Sequence, residues 1–471
     1  MADGFTMTDP PPEPLIVNAA DRPATVQALR EVLARAGNLF DRGGVPVMLL
    51  HPADGSAPIA RRLTFNNVIV EAHKHRQPAK VNERGDQIPI TLPDAVAKMY
   101  IDLGDWNLRP LAGITTAPLL ASDGRILDRA GYDRDLQLWC EPAPNLAVPE
   151  CPTRADAEAA LRLLRESFKT FPFKDAPAVM HDGLRVVDAT KPPGASESSL
   201  LAALLTACCR PSLWLAPGML VRAPDISGSG SGKGLLVRAV CAVAFGIKLR
   251  AFGRGHDRQE LDKRIVSDLI EAGPVLFLDN LNATALRSET LAMVMTERPA
   301  RVRLMGTPLM VPLNCASFIA VTGNGLSVSE DLARRFLLVE LDAQCEDPEA
   351  RKFPAGFIDA IFAHRGELLS AALTIWRWGR QNEGILTRGL ALGSFETWTE
   401  WVRDPLLTLG CADPVALARA SKTDDPKRRF AAELFTAWSG CHADRPVKAA
   451  ELDERVRAIA DPQGRGRQYL A

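Results

Sequence analysis

The stretch Ser227-Gly228-Ser229-Gly230-Ser231-Gly232-Lys233-Gly234 has the composition of a phosphate cradle. Glycines let consecutive backbone N–H groups converge on one anion, a helix N-terminus adds partial positive charge, and a lysine at the turn reaches the outer phosphates. The stretch lies between the apolar run Met219-Leu220-Val221 and the helical run Leu235 to Val240. It therefore reads as a strand-to-helix turn for a nucleoside triphosphate such as ATP, with Ser229, Gly230, Ser231, Gly232, Lys233 and Gly234 at the ligand. A flexible Gly/Ser linker is the alternative. Further on, Val275-Leu276-Phe277-Leu278-Asp279-Asn280 is an apolar strand delivering a carboxylate. Asp279 suits Mg²⁺, because hard cations take oxygen ligands, with Asn280 beside it at the nucleotide. A core strand closed by an Asx turn would look the same. Phe318 to Asn324 is a second apolar run, ending in an amide that can donate to a γ-phosphate and accept from a water. In Asp331-Leu332-Ala333-Arg334-Arg335-Phe336, two guanidinium groups end a short helix. Arg334 or Arg335, presented to a neighbour's triphosphate, would neutralise transition-state charge.

Three positions depart from the usual pattern of such sites, the first being Ser227 in place of the first Gly of the loop. Gly234 stands where a Ser or Thr hydroxyl normally touches Mg²⁺, and Asn280 where a Glu usually orients the attacking water. These departures imply slow or conditional hydrolysis, or a substitute acid such as Glu297 or Glu330. Between the two apolar strands, Arg298 to Leu313 alternates about Gly306-Thr307-Pro308 and predicts a β-hairpin. Its Arg301 and Arg303 would either hold DNA phosphates or keep an edge strand from aggregating.

Positioning these groups calls for strands alternating with helices. Met219–Arg222, with Leu213–Leu215 before it, and Val275–Leu278 read as strands; 234–245 and 259–272 read as helices, and the alternation predicts a parallel sheet packed between helices. Residues 1–22 read as a disordered acidic, proline-rich leader, and 23–150 as a mixed α/β domain with a hairpin turn at Asp123-Gly124. Residues 151–212 read as a helical collar, 213–345 as the α/β P-loop ATPase core and 346–425 as a helical lid. Residues 426–471 hold two helices and a basic tail that would suit a partial winged helix.

The chain has 471 residues, 46% hydrophobic and 24% charged, with a formal net charge of −1, so bulk charge argues for no nucleic-acid role and any such surface must be local. Its nine cysteines include no C-x-x-C pair, which fits reduced, buried thiols rather than zinc or disulfides. With no run of about 18 apolar residues, the expectation is a cytoplasmic protein without a membrane partner.

The order of glycine-rich loop, acidic strand, hairpin, strand ending Thr322-Gly323-Asn324, then Asp331 to Phe336 resembles the superfamily 3 helicases. These are AAA+ ATPases of viruses, phages and integrated elements, and the likeness is to the helicase half of phage and plasmid primase-helicases. Trp106 through Pro118, Asp123-Gly124 and Gly131-Tyr132-Asp133 resemble the segment before the helicase core there, and Phe171-Pro172-Phe173 the collar. The resemblance covers about residues 24–342. It implies a hexameric homo-oligomer with ATP between protomers, moving 3′ to 5′ on single-stranded or forked DNA during replication. By position, Lys233 contacts the β/γ-phosphates, Asp279 the magnesium, Asn324 acts as sensor, and Arg334 or Arg335 as the finger in trans. No primase motif is present, so priming would come from a separate primase or polymerase. A nucleotide-binding ring scaffold that does not hydrolyse, and an ATPase that remodels proteins, are the alternatives.

Overall fold

The computed structural model describes residues 13–54, 56–181, 184–224, 230–249, 258–281, 285–304, 310–344, 355–390, 392–415, 426–448 and 451–461. At its centre four strands run parallel in the spatial order Val275–Leu278, Phe318–Asn324, Gly218–Ala223, Phe336–Glu340. All four are nearly continuous apolar runs, as burial on both faces demands. Parallel pairing requires crossovers, which the chain makes through helices such as Lys233–Phe245 and Arg258–Ile270.

On one face lie the helices Arg154–Phe168, Ala195–Cys209, Lys233–Phe245 and Arg365–Gln381, which share a single core with the sheet. Collar and lid segments thus pack together in one layer. Ala195–Cys209 is buried from Ser196 to its end, and its polar Thr206 is satisfied by Trp398, whose Nε1 donates at 2.7 Å. The amino end of this helix has no cap of its own, since Gly194 lacks a side chain. Asp175 supplies one from the preceding loop, accepting from the N–H groups of Ala195 at 2.7 Å and Ser196 at 3.0 Å. Asp175→Ala is expected to cost about 1 kcal/mol, measured as a lower denaturation midpoint with the fold retained.

The opposite face is covered by Arg258–Ile270, Glu289–Thr296 and the hairpin Ala300–Arg303/Met310–Leu313. Phe40, Val47 and Ile114 from the amino-terminal region join that same core. Residues 23–150 therefore divide their apolar side chains: Leu29, Leu33, Val68, Val96 and Tyr100 build a core of their own, and the other set closes the face of the central sheet. The turn at Asp123-Gly124 joins the antiparallel pair Leu119–Leu120 and Ile126–Leu127, as predicted.

Three segments differ from the sequence expectation. The leader predicted to run to residue 22 is structured from within: Leu15–Ile16 pairs parallel with Pro78–Ala79, because Leu15 and Val17 have an apolar core to enter; residues 1–12 lie outside the described residues. Leu213–Leu215 is not a strand. The Leu213 carbonyl accepts from Arg210 Nη1 at 2.8 Å and Arg298 Nη1 at 3.2 Å instead of from a neighbouring strand. Between Glu396–Trp398 and Asp404–Thr408 the expected helix widens to a π turn at Thr399–Arg403. At the carboxyl end, Pro426–His442 and Glu454–Ala460 are helices, and the basic tail lies outside the described residues. Among the described residues no helix is long and apolar enough to cross a membrane, and the cysteines are free thiols.

Asp268, on the helix Arg258–Ile270, has its carboxyl pushed up to about 7 by burial, with Glu271 adding to the shift. An unfolded Asp titrates near about 3.9, so the folded chain retains a proton that the unfolded chain has released across the interval. Stability contributed by this group is therefore full below that lower value and falls as pH rises toward about 7. Asp268→Asn is expected to flatten this part of the curve, read from thermal midpoints between those two pH values.

Candidate nucleotide site

Register places the chemistry at one edge of the sheet. Ala223 pairs with Asn324 and Leu278 with Val321, so Asp279, one residue past its strand, is level with Thr322. The glycine-rich segment enters from Ala223. Its Ser227 to Ser229 lie outside the described residues, Ser229 included. Gly230 and Gly232 both have left-handed backbones, φ 72° and 87°, and Gly232 is the N-cap of Lys233–Phe245. A turn of this kind points successive N–H groups inward, the geometry of an anion nest. Between the two glycines Ser231 is buried, and Lys233 Nζ donates to its Oγ at 3.1 Å. Burial holds the Lys233 ammonium below its ordinary pKa, against the opposing pull of Asp279.

Asp279 is itself held in place. Thr322 Oγ1 donates to Asp279 Oδ1 at 2.5 Å and accepts from the Asn280 N–H at 3.0 Å. Asn280 has φ 60°, a left-handed conformation that Asn tolerates far better than larger side chains do. The chain then passes across Gly323, where a Cβ would lie 2.3 Å from the Leu281 carbonyl oxygen. Asn280 thus suits the conformation of the turn. Sequence reasoning assigned Thr322 no role; its place directly before Gly323-Asn324 at a strand end was the available signal.

Gly234 borders Asp279 directly. A Cβ there would lie 3.4 and 3.5 Å from the two Asp279 carboxylate oxygens and 2.8 Å from Arg238 Nη1. Arg238, one helical turn on, brings Nη2 to 3.6 Å from Asp279 Oδ2, with its guanidinium over the Phe277 ring. It too was missed by sequence reasoning; its spacing of four from Gly234 was the only clue. A Mg²⁺ ion was expected at Asp279, and the donors do not fit one. Oδ1 already accepts from Thr322, Oδ2 faces a guanidinium, and Gly234 has no side-chain oxygen to offer.

Asn324 is half-buried at the end of its strand beside Ala223. Next to it a cavity of about 350 Å³ opens at the same edge, lined by Lys174, Arg222, Pro224, Ser327, Glu340 and Asp342. Glu340 Oε1 accepts from Arg222 Nε at 2.9 Å there.

The two arginines lie elsewhere. Arg335 immediately precedes the strand Phe336–Glu340, and its carbonyl accepts from Gly218 N–H at 2.9 Å, so both start at the edge opposite the glycine loop, roughly 17 Å away by strand rise. Arg335 is buried, donating to the Asp331 carbonyl at 2.9 Å and pairing with its carboxylate. Arg334 is exposed, 2.8 Å from Asp331 Oδ1. Neither is placed to act on this chain's own loop. On the hairpin, Arg301 and Arg303 share the exposed face while Ala300 and Val302 turn inward; its tip, Gly306-Thr307-Pro308, lies outside the described residues. Arg298 is not part of that face: it donates to the Trp214 carbonyl at 3.0 Å and stacks over its ring. Glu297 is exposed beyond its helix, and the Glu330 side chain lies outside the described residues. Among the described residues no group of three or more His, Cys, Asp and Glu side chains could hold a metal ion.

No family model matches the chain, and no curated protein matches it. Among solved structures it is similar to the apo NrS-1 C-terminal region, at 12% identity and TM-score 0.34 over 92% of this chain and 85% of that one. The A form of that region is also similar, at 15% identity and TM-score 0.30 over 60% and 69%. The active helicase Cch of SCCmec type IV is similar at 13% identity and TM-score 0.28 over 83% and 72%. Likenesses of this size leave a functional reading to rest on the geometry of the site itself.

Proposed function

We propose that the chain binds ATP at the glycine-rich turn and works as an ATP-dependent helicase or translocase on single-stranded or forked DNA, in the replication of a phage, plasmid or integrated element. The observation that carries this reading is the convergence of Lys233, Asp279 and Asn324 on one edge of a parallel sheet, beside a glycine turn opening a helix. The triphosphate takes the turn, and the adjoining cavity takes the nucleoside end. Arg334, exposed at the far edge, serves a neighbouring protomer's nucleotide in a ring, which the resemblance makes hexameric; Arg335 holds the Arg334 segment in place. Arg301 and Arg303 face the DNA.

Turnover of ATP with and without single-stranded DNA, for this chain and for Lys233→Ala, tests the proposal. DNA-stimulated turnover lost in the variant supports a motor. Tight ATP binding with no turnover under any condition overturns it in favour of a ring scaffold, the reading that Asn280 and the Arg238–Asp279 pair favour.

A further inference from the structure

We infer that Arg238 is the resident counter-cation of the nucleotide site, so that ATP binds this chain without Mg²⁺. This rests on the nucleotide reading above and goes beyond it, because it names which form of the nucleotide the site accepts. Three features of the geometry converge on it. Arg238 Nη2 lies 3.6 Å from Asp279 Oδ2, so a positive charge already faces the carboxylate that would hold a metal. The guanidinium occupies the space a side chain at 234 would need: Nη1 is 2.8 Å from the position of a Cβ there. Gly234 thus leaves open the space beside Asp279 that Arg238 takes, and a side chain at 234 would displace the guanidinium from it. Finally, Thr322 engages Asp279 Oδ1, which leaves no carboxylate oxygen facing the loop without a partner.

The chemistry is suited to the task. A guanidinium is planar, always charged and less strongly hydrated than an ammonium, and it matches phosphate oxygens with paired N–H donors. Its position one turn into the helix Lys233–Phe245, with 40% of the side chain exposed, lets its Nη2 stay on Asp279 while its other N–H groups reach a bound phosphate. Lys233 and Arg238 then offset two negative charges of the triphosphate.

Equilibrium binding of a fluorescent ATP analogue, in excess EDTA or in excess Mg²⁺, decides the matter for four forms: the full chain, Lys233→Ala, Arg238→Ala, and Gly234→Thr combined with Arg238→Ala. Expected is an affinity for the full chain that changes less than about threefold between the two buffers, and a loss of about tenfold or more in EDTA for Arg238→Ala, the value of one charge-assisted contact. The double variant should bind better in Mg²⁺ than in EDTA, because it restores an oxygen donor and clears the space. Binding by the full chain that needs Mg²⁺, with Arg238→Ala behaving alike, overturns the role of Arg238 and leaves the nucleotide site standing. No binding in either buffer overturns both. Unchanged thermal midpoints show that the variants are folded.

Discussion

Arg42→Ala lowers stability by about 3 to 5 kcal/mol, the range for removing one partner from a buried charged network, and a thermal melt or denaturant titration shows it as a large fall in midpoint. Arg42 is 1% exposed and has no carboxylate partner among the described residues. Its guanidinium instead donates to five backbone carbonyls: Leu269 at 2.5 Å and Ile270 at 3.2 Å, Leu111 at 2.9 Å, Ala112 at 2.7 Å and Asn314 at 3.4 Å. The first two lie at the carboxyl end of the helix Arg258–Ile270, where the aligned peptide dipoles supply negative charge. Burial brings the Arg42 pKa down to about 10, which leaves it charged at neutral pH. One residue just past an amino-terminal strand thereby ties together that region, a helix covering the central sheet and the end of the hairpin. Arg42→Lys is expected to recover only part of the loss, since an ammonium has three donors on one atom and cannot span acceptors on both sides. A midpoint unchanged in Arg42→Ala would show that water replaces these contacts without penalty.

Lys233→Ala behaves in the opposite way: the fold survives and nucleotide affinity falls by about a hundredfold or more, the equivalent of losing a desolvated charge-assisted bond. Lys233 is 7% exposed, and burial disfavours its charged form. The cradle thus holds a partly desolvated cation beside the phosphate edge, where attraction to an anion is stronger than in water. Alanine at the first position of Lys233–Phe245 is a good helix former and removes a buried charge, so the thermal midpoint should hold or rise. Calorimetric titration with ATP checks the affinity. Retained tight binding in a folded Lys233→Ala would remove the phosphate-cradle reading altogether, and with it the assignment of Asp279 and Asn324.

Much of the scaffold was legible because it depends on near neighbours along the chain. The strands Val275–Leu278 and Gly218–Ala223 and the helix Lys233–Phe245 fall within a residue or two of where periodicity put them, since runs of apolar residues and a glycine turn dictate local backbone geometry. The hairpin's alternation likewise appears as Ala300 and Val302 inward, Arg301 and Arg303 outward. Leu213–Leu215 misled, because the nearby Arg210 and the distant Arg298 took the carbonyl a strand would have used.

Residue order alone carries the succession of the chemical elements, the alternation of strand and helix that makes the sheet parallel, and the departures at Gly234 and Asn280. What surrounds those departures emerges with the folded sheet. Asn280 sits in a left-handed turn leading across Gly323, and Gly234 leaves open the space that Arg238 takes beside Asp279. The tertiary structure also separated Arg334 from Arg335, exposed from buried, though the two are adjacent and chemically alike. Both arginines pair locally with Asp331 and differ in packing, whereas the Arg238–Asp279 pair joins distant segments. Spacing along a chain sets which backbone conformations are favourable, while the charge that faces Asp279 is set by contacts between segments far apart in sequence, brought together when the sheet and its two covering layers close.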